Sequence, residues 1–211
     1  MRILIAGATG LVGRHVLRLA LADRRVTAIV APTRRALPVH PKLTNPVSKD
    51  SPYADAADWW AVDGVVCTVG TTRADAGSAA AFRAIDLDLQ LRIARRTRAA
   101  GAERFALTSS MGADPRSRFL YLRTKGELEA ALAGLGWPSL TIVRPGAILG
   151  TRDGKDARIG EQVGAAVLKL IGPLLPRAWR GNPAEAIART LLEAAIAGPP
   201  GEHFIKADRI G

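Results

Sequence analysis

Apolar positions along this chain follow two different periods, and the first 20 residues contain one of each. Residues 3–6 form a continuous apolar run, which predicts a short strand buried on both faces. From Leu11 onward the apolar residues recur at helical spacing, as Val12, Val16 and Leu19. The chain is therefore predicted to begin with a strand, a tight turn and a helix.

The alternation of strand-like and helix-like segments continues to the C-terminus. Strands are predicted at residues 26–30, 65–69, 105–107 and 139–143, with shorter ones at 43–47 and 204–205. A short helix is predicted to open at Ser51-Pro52, with Ser51 as its N-cap, and to carry Trp59 and Trp60 as packing residues. Longer helices are predicted at residues 78–100, 121–135 and 182–197. This order predicts an α/β fold, a single doubly wound domain with a parallel sheet.

The helix predicted at residues 78–100 carries apolar residues on two stripes rather than one. Such a pattern indicates burial on two sides or a dimer interface, and it does not decide between a monomer and a dimer. The stripes consist of Phe82, Ile85, Leu89 and Ile93 on one side and Leu87, Leu91 and Ala94 on the other.

The C-terminal quarter carries the signals of a cap over a substrate pocket. Residues 150–158 are rich in glycine and charge, which favours a mobile substrate loop. The apolar stretch 163–175 could cap the pocket, bind a partner or touch a membrane surface, and we favour capping. Asn182, Pro183 and Glu185 match a helix cap, a first-turn proline and a capping-box acid. We expect residues 1–211 to form one domain, with residues 150–211 contributing a small cap on the substrate side.

The composition narrows the class of protein. The 211 residues carry a formal charge of +11, but the 24 arginines and 6 lysines are scattered along the chain. The densest group lies on a predicted helix, where we favour a solvated face over an RNA or anionic-membrane patch, so no nucleic-acid partner is expected. This group consists of Arg92, Arg95, Arg96 and Arg98.

The remaining composition points to a reducing compartment and to a site without metal. The single cysteine, Cys67, cannot form an intramolecular disulfide, and we expect it to be a small core residue. We find neither a signal peptide nor a stretch long enough to span a membrane, so a cytoplasmic location is expected. The three histidines lie far apart without the spacing of metal ligands, so no metal site is expected.

Three glycines in the first turn carry the strongest functional signal. Gly7 permits the sharp turn, Gly10 allows a pyrophosphate to approach backbone N–H groups, and Gly13 allows the helix to pack close to the strand. The helix N-terminus attracts the phosphate charge. We therefore assign dinucleotide binding to Gly7, Ala8, Thr9, Gly10, Leu11, Val12 and Gly13.

Two further segments are predicted to contact the adenosine half of the cofactor. After the second strand, where an NAD site offers an acidic residue, the chain has Thr33, Arg34 and Arg35. Guanidinium groups bind phosphate oxygens bidentately, so NADP(H) is predicted in preference to NAD(H). The strand predicted at residues 65–69 ends in a turn of small residues, which should lie at the ligand crevice along the carboxyl edge of the sheet. The cofactor-binding candidates here are Val69, Gly70, Thr71 and Thr72.

A later helix is predicted to carry the chemistry. Tyr121 and Lys125 are four residues apart, so they share a helix face, and that face also carries apolar residues. Ser109 and Ser110 follow a strand end 11 to 12 residues earlier. A tyrosine needs a nearby ammonium and a cofactor ribose to exchange a proton near neutral pH, while a serine hydroxyl can orient the substrate oxygen. Tyr121 would protonate a carbonyl oxygen during hydride transfer, or accept the proton in reverse.

These stretches resemble the short-chain dehydrogenase/reductase superfamily. The turn at residues 7–13 is similar to its glycine motif, and Tyr121 with Lys125 matches its Y-x-x-x-K motif. Greater similarity is to the atypical, Tat-interacting-protein-like oxidoreductases, through residues 32–35, 70–73, 109–113, 119–122, 125–127 and 144–146.

The resemblance implies a Rossmann fold, NADP(H) binding and a Ser-Tyr-Lys site. Lys125 would also contact the cofactor, and Ser110 is favoured over Ser109. In relatives the turn corresponding to Pro145, Gly146 and Ile148 passes beside the nicotinamide. Some members are described as regulators, so the site could act as a sensor.

Three functions compete at this stage. The leading one is an NADPH-dependent oxidoreductase acting on a small carbonyl or alcohol. The second is a non-catalytic NADP(H)-sensing regulator or interaction protein, which the apolar stretch 163–175 would suit. Nucleotide-sugar epimerase or dehydratase chemistry is disfavoured, because only about 60 residues follow Arg144-Pro145.

Overall fold

Within the part of the chain that the structure describes, seven parallel strands form the central sheet. The computed structural model describes residues 1–49, 52–54, 58–150 and 181–211. The strands are β1 (Arg2–Ala6), β2 (Ala28–Val30), β3 (Leu43–Thr44), β4 (Gly64–Cys67), β5 (Arg104–Thr108), β6 (Ser139–Arg144), β7 (Ile148–Leu149), β8 (Asn182–Pro183) and β9 (Gly201–Lys206). The sheet order is β3-β2-β1-β4-β5-β6-β9, and β7 pairs with β8 in a separate parallel ribbon. This is the strand order of a doubly wound Rossmann fold.

Helices connect these strands. They are α1 (Leu11–Ala22), α2 (Arg73–Ala76), α3 (Ala79–Arg83), α4 (Gln90–Ala99), α5 (Leu120–Ala133) and α6 (Ala184–Ala197). A π-helical turn, Ala84–Leu89, joins α3 to α4, and short 3₁₀ turns lie at Asp58–Trp60 and Ala207–Arg209. No helix in the described ranges is long and apolar enough to cross a membrane.

The sheet separates two apolar cores, and β1 supplies both. Ile3 and Ile5 belong to the core that contains α1 and α6, whereas Leu4 and Ala6 face the core that contains α4 and α5. All four side chains are fully buried. Successive side chains of a strand point to opposite faces, so a continuous apolar run is what two covered faces require. The predicted α/β Rossmann architecture with a parallel sheet is confirmed.

The two tryptophans and the cysteine lie where the sequence predicted them. Trp59 and Trp60 stack at 4.3 Å between ring centroids and are buried, although their segment is a 3₁₀ turn rather than a longer helix. Cys67 is buried in β4. The proposed cap residue of that segment, Ser51, lies outside the described residues.

The helix predicted at residues 78–100 buries only part of the two predicted stripes. Phe82, Ile93 and Ala94 are buried as predicted, while Ile85, Leu87, Leu89 and Leu91 are only partly buried. The polar residues Asp86, Gln90 and Thr97 are buried although no stripe predicted them. The π-helical turn is the physical reason, because its wider turn shifts the register of every later residue relative to a regular α-helix. A stripe counted at 3.6 residues per turn cannot follow this shift.

The predicted helix cap at Asn182 is also wrong. Asn182 lies in β8, and the helix begins after Pro183 with no side chain accepting from its first N–H groups. The Asn182 side chain is buried and holds two backbone segments together, because Oδ1 accepts the N–H of Gly146 at 3.0 Å and Nδ2 donates to the carbonyl of Ala207 at 2.9 Å. The mobile-loop and capping assignments at 151–158 and 163–175 fall outside the described residues.

Candidate active site

The turn between β1 and α1 has no room for a side chain at Gly7 or at Gly13. Gly7 adopts φ +85°, a left-handed conformation that favours glycine. The N–H of Gly10 donates to the Gly7 carbonyl at 2.9 Å, which closes the turn. A Cβ on Gly13 would overlap the Gly7 carbonyl oxygen and approach Thr68 Oγ1 to 2.8 Å. Strand and helix therefore cross in contact at this point.

The N-cap of α1 is Gly10, which has no side chain with which to accept from the first N–H groups. Within the described residues the first turn also carries no acidic residue. The first-turn N–H groups and the positive end of the helix dipole together favour an anionic ligand. Ala8 and Val12 have buried side chains, so these two residues can offer a ligand only their backbone. Thr9 is exposed and Leu11 is partly buried.

Tyr53 supports the glycine turn from the opposite side, a role that sequence reasoning missed. Its hydroxyl accepts the N–H of Gly7 at 3.1 Å. The ring is 5% exposed, and burial raises the pKa of the phenol well above its usual value. The Tyr53 hydroxyl therefore stays neutral and acts as a fixed support. Tyr53 lies in a loop without periodicity, so no local pattern could have identified it.

The loop after β2, which was predicted to bind a phosphate, contains one buried side chain and two exposed ones. Thr33 is 4% exposed, and its hydroxyl donates to the carbonyl of Arg35 at 2.6 Å. Arg34 and Arg35 are exposed. The Thr33 hydroxyl is thus already used within the loop, while the two guanidinium groups extend into solvent.

The segment after β4 contacts a buried ion pair that includes the candidate lysine. Lys125 Nζ lies 2.8 Å from Asp86 Oδ1, with side-chain exposures of 5% and 1%. Asp86 Oδ2 accepts the N–H of Thr71 at 2.7 Å. A Cβ on Gly70 would lie 3.5 Å from Asp86 Oδ1 and 4.0 Å from Lys125 Nζ. The fold therefore brings Gly70, Thr71 and Lys125 together around Asp86.

Asp86 was not predicted as a site residue. The available signal was its position four residues after Phe82 on the same helix, because an acid on an apolar stripe requires a partner once it is buried. Val69 is partly buried beside this cluster. Thr72 caps α2, accepting the N–H of Asp75 at 3.3 Å.

Tyr121 lies on the first turn of α5, one turn before Lys125, and is much more accessible. Its side chain is 43% exposed, and its hydroxyl has no hydrogen-bond partner within the described residues. The ring lies 6.1 Å from the ring of Phe82, centroid to centroid. A pocket of about 280 Å³ opens at this place, and its described lining residues are Thr72, Arg73, Phe82, Leu120 and Tyr121.

The two candidate serines have different environments. Ser109 is 4% exposed, and its hydroxyl donates to the buried carboxylate of Glu129, which also accepts Arg144 Nε at 3.0 Å. Ser110 is only partly buried, and its hydroxyl donates to the carbonyl of Met111 at 3.2 Å. Ser109 is thus part of a structural network, and Ser110 is the accessible hydroxyl.

Sequence reasoning also missed Glu129 and Arg144. Glu129 lies eight residues after Tyr121, so it continues the face of α5 that carries Tyr121 and Lys125. Its carboxylate connects α5 to the ends of β5 and β6 through Ser109 and Arg144. This connection fixes the position of α5 relative to the carboxyl edge of the sheet.

The turn after β6 lies beside the serines. The N–H of Met111 donates to the carbonyl of Pro145 at 2.8 Å. Gly146 donates its N–H to Asn182, and Ile148 is 39% exposed. The loop after β5 in turn contacts α5, since the N–H of Asp114 donates to the carbonyl of Leu122 at 3.1 Å. These contacts place the serine loop between the Pro145 turn and the start of α5.

The sequence matches a family model described as NAD(P)H-binding over residues 7–167. The chain belongs to this family. Among curated relatives, the mitochondrial protein FMP52 of Candida albicans is 34% identical over 189 residues, which cover 85% of this chain and 79% of that protein. Protein HTATIP2 of Rattus norvegicus is 32% identical over 208 residues, covering 95% and 83%. The resemblance to Tat-interacting-protein-like, atypical short-chain dehydrogenase/reductases is confirmed.

Solved structures agree on the fold. MoeE5 in complex with UDP-glucose and NAD superposes with a TM-score of 0.72 at 17% identity, covering 97% of this chain and 75% of that chain. RMD from Pseudomonas aeruginosa complexed with NADPH gives a TM-score of 0.64 at 17% identity, covering 97% and 77%. The TM-scores establish a shared Rossmann-type fold. At identities this low, the superpositions establish no shared substrate.

The names of the relatives correct the expected location. Several FMP52 relatives are named as mitochondrial proteins, which contradicts the cytoplasmic assignment. That assignment used the lone cysteine and the apolar N-terminal strand, and a reducing environment is common to more than one compartment. These features therefore could not distinguish between compartments.

Proposed function

We propose that the protein is an NADPH-dependent oxidoreductase that reduces a small carbonyl compound, or oxidises the corresponding alcohol, with Tyr121 as the acid or base. One observation carries this proposal: Tyr121 lines a pocket and is 43% exposed, its hydroxyl has no partner among the described residues, and Lys125 lies one turn away beside the segment that follows β4. An accessible phenol next to a nucleotide fold is suited to proton transfer.

The residues present fit a dinucleotide. The glycine N-cap of α1 and the close Gly7–Gly13 contact suit the approach of a diphosphate to the backbone N–H groups. Arg34 and Arg35 would hold a 2′-phosphate. That loop has no acidic residue of the kind that binds the ribose hydroxyls of NAD. When bound, NADP(H) supplies or accepts the hydride.

The remaining steps belong to the side chains of this chain. Tyr121 would donate its proton to the carbonyl oxygen as the carbonyl carbon is reduced, and would take it back in alcohol oxidation. Ser110 would hydrogen-bond the same oxygen and orient it. Lys125, held by Asp86, would place a positive charge near the phenol and near the nucleotide. Pro145, Gly146 and Ile148 would line the nicotinamide side.

The test combines binding and turnover. NADPH and NADH are titrated against nicotinamide fluorescence, and NADPH consumption is then followed with a panel of small ketones, aldehydes and quinones. Tyr121→Phe should keep the NADPH affinity within about twofold and lower turnover by about a hundredfold or more. Glu127→Gln, which changes a partly exposed residue on the same helix, is the matched control and should leave both unchanged.

Three outcomes have distinct meanings. Unchanged turnover in Tyr121→Phe would reject the mechanism. NADPH binding without turnover of any carbonyl would favour the sensing or interaction role that the sequence left open. A wild-type protein that binds neither dinucleotide would reject both functions.

A further inference from the structure

One asparagine outside the described site connects both ends of the arginine loop. Asn45, immediately after β3, donates from Nδ2 to the carbonyl of Ala31 at 2.5 Å and to Thr33 Oγ1 at 2.8 Å. Its Oδ1 accepts the N–H of Leu37 at 2.8 Å. A single side chain thereby makes three hydrogen bonds that bracket Arg34 and Arg35.

The backbone at Thr33 is anchored independently of Asn45. Its N–H donates to the carbonyl of Pro46 at 2.9 Å, and its carbonyl accepts the N–H of Ser48 at 3.1 Å. These bonds hold one end of the loop on the segment after β3. The far end, at Leu37, is held by Asn45. Removing the Asn45 amide should therefore loosen the part of the loop that contains the two arginines while β2 and β3 stay paired.

A loop held in this way matters for one part of the ligand only. The diphosphate is common to NADPH and NADH, and it would bind at the glycine turn on the other side of β1. Of these two ligands NADPH alone carries the 2′-phosphate, and Arg34 and Arg35 would bind it. Guanidinium groups that are already positioned lose less conformational freedom on binding, which strengthens that contact selectively.

We infer that Asn45 is a specificity-determining positioning residue, which holds Arg34 and Arg35 so that the protein prefers a ligand bearing a 2′-phosphate. This inference rests on the proposed NADP(H) function. Asn45 itself need not touch the ligand, because its three hydrogen-bonding partners all belong to the loop.

The experiment measures four dissociation constants with the full chain. The ligands are NADPH, NADH, and the adenosine fragments 2′,5′-ADP and 5′-AMP, which differ only in the 2′-phosphate. Asn45→Ala is expected to weaken the binding of NADPH and 2′,5′-ADP by about tenfold. The dissociation constants of NADH and 5′-AMP should change by less than about twofold. Asn45→Asp keeps an acceptor for Leu37 but loses both donors, so it should give the same selective loss.

Two comparisons separate positioning from general damage. Lys42→Met removes hydrogen bonds from Lys42 Nζ to Leu21 and Asp23 at the same edge of the sheet, and it should leave the NADPH-to-NADH ratio unchanged. In a background lacking both guanidinium groups, Arg34→Ala with Arg35→Ala, adding Asn45→Ala should cause no further loss of NADPH affinity. Thermal midpoints confirm that each variant is folded at the assay temperature.

The failure of this inference is distinguishable from that of the proposed function. Suppose that the wild type prefers NADPH. If the variants Asn45→Ala and Asn45→Asp keep that preference, or if they weaken the binding of both dinucleotides equally, only the role of Asn45 is overturned. If the wild type binds both dinucleotides equally well, the NADP(H) preference fails and takes this inference with it.

Discussion

The buried ion pair between Asp86 and Lys125 gives a stability prediction whose size follows from the structure. The two side chains are almost completely buried, and their charged atoms lie 2.8 Å apart. Asp86→Asn keeps the shape of the side chain but removes its charge, so the Lys125 ammonium stays buried without a counter-charge. Asparagine also has a single side-chain oxygen, which cannot accept from Thr71 and face the ammonium at the same time.

Removing one partner of a buried ion pair lowers the free energy of unfolding by roughly 3–5 kcal/mol. For a domain of this size, each kcal/mol lowers Tm by roughly 2–4 °C, so we expect a fall of roughly 6–20 °C. Urea unfolding at pH 7 and calorimetry measure the two quantities. The control is Glu127→Gln, whose pair with Arg83 has side chains 30% and 37% exposed, and it should cost less than about 1 kcal/mol.

A double variant isolates the interaction itself. Lys125→Met alone leaves the Asp86 carboxylate buried without its counter-charge and should also cost roughly 3–5 kcal/mol. Asp86→Asn combined with Lys125→Met leaves no buried charge, so its loss should be smaller than that of either single variant. Strictly additive losses, or a loss below about 1 kcal/mol in Asp86→Asn, would refute this reasoning.

Three further predictions test other parts of the molecule. Gly13→Ala should abolish measurable NADPH binding in fluorescence titrations because its Cβ would overlap the Gly7 carbonyl, and an affinity within twofold of wild type would contradict this. Glu129→Gln should lower the free energy of unfolding, measured in urea, by about 2–3 kcal/mol, because the partly buried guanidinium of Arg144 loses its counter-charge. An unchanged urea midpoint would show that the network is not held by charge. The Arg25 guanidinium holds the pKa of the Glu193 carboxyl below its usual value, so the stability this pair adds is present at neutral pH and is lost as the pH falls through that lowered pKa. Arg25→Ala should therefore lower Tm more at pH 7 than at pH 3, and an equal loss at both values would remove the ion pair as the cause.

The local sequence patterns predicted the parts of the site that are built within one element. The glycine turn, the Tyr121 and Lys125 spacing and the serines at a strand end all depend on residues within a few positions of each other. Backbone conformation and helical spacing are local properties, so they can be inferred from local sequence. The apolar run at β1 likewise required a covering layer on each side of the sheet.

The partners of these residues were not predictable in the same way. Asp86 meets Lys125 across 39 positions of sequence, and Tyr53 meets Gly7 across 46. The π-helical turn shifted the face of the helix predicted at residues 78–100, so a correct helix assignment still missed the buried Asp86, Gln90 and Thr97. Asn182 had the local features of a helix cap, yet its buried position in β8 gave its amide other partners, the backbone of Gly146 and of Ala207.

The sequence by itself determined the order of strands and helices, the dinucleotide turn and the identity of the candidate acid–base residue, because each is encoded in local spacing. The tertiary structure alone decided which buried polar groups meet, and with them the ion pair that holds Lys125, the carboxylate that ties Ser109 to α5 and the amide that braces the arginine loop. The physical reason is that a buried charge or amide must find a partner, and the choice of partner depends on which elements pack together.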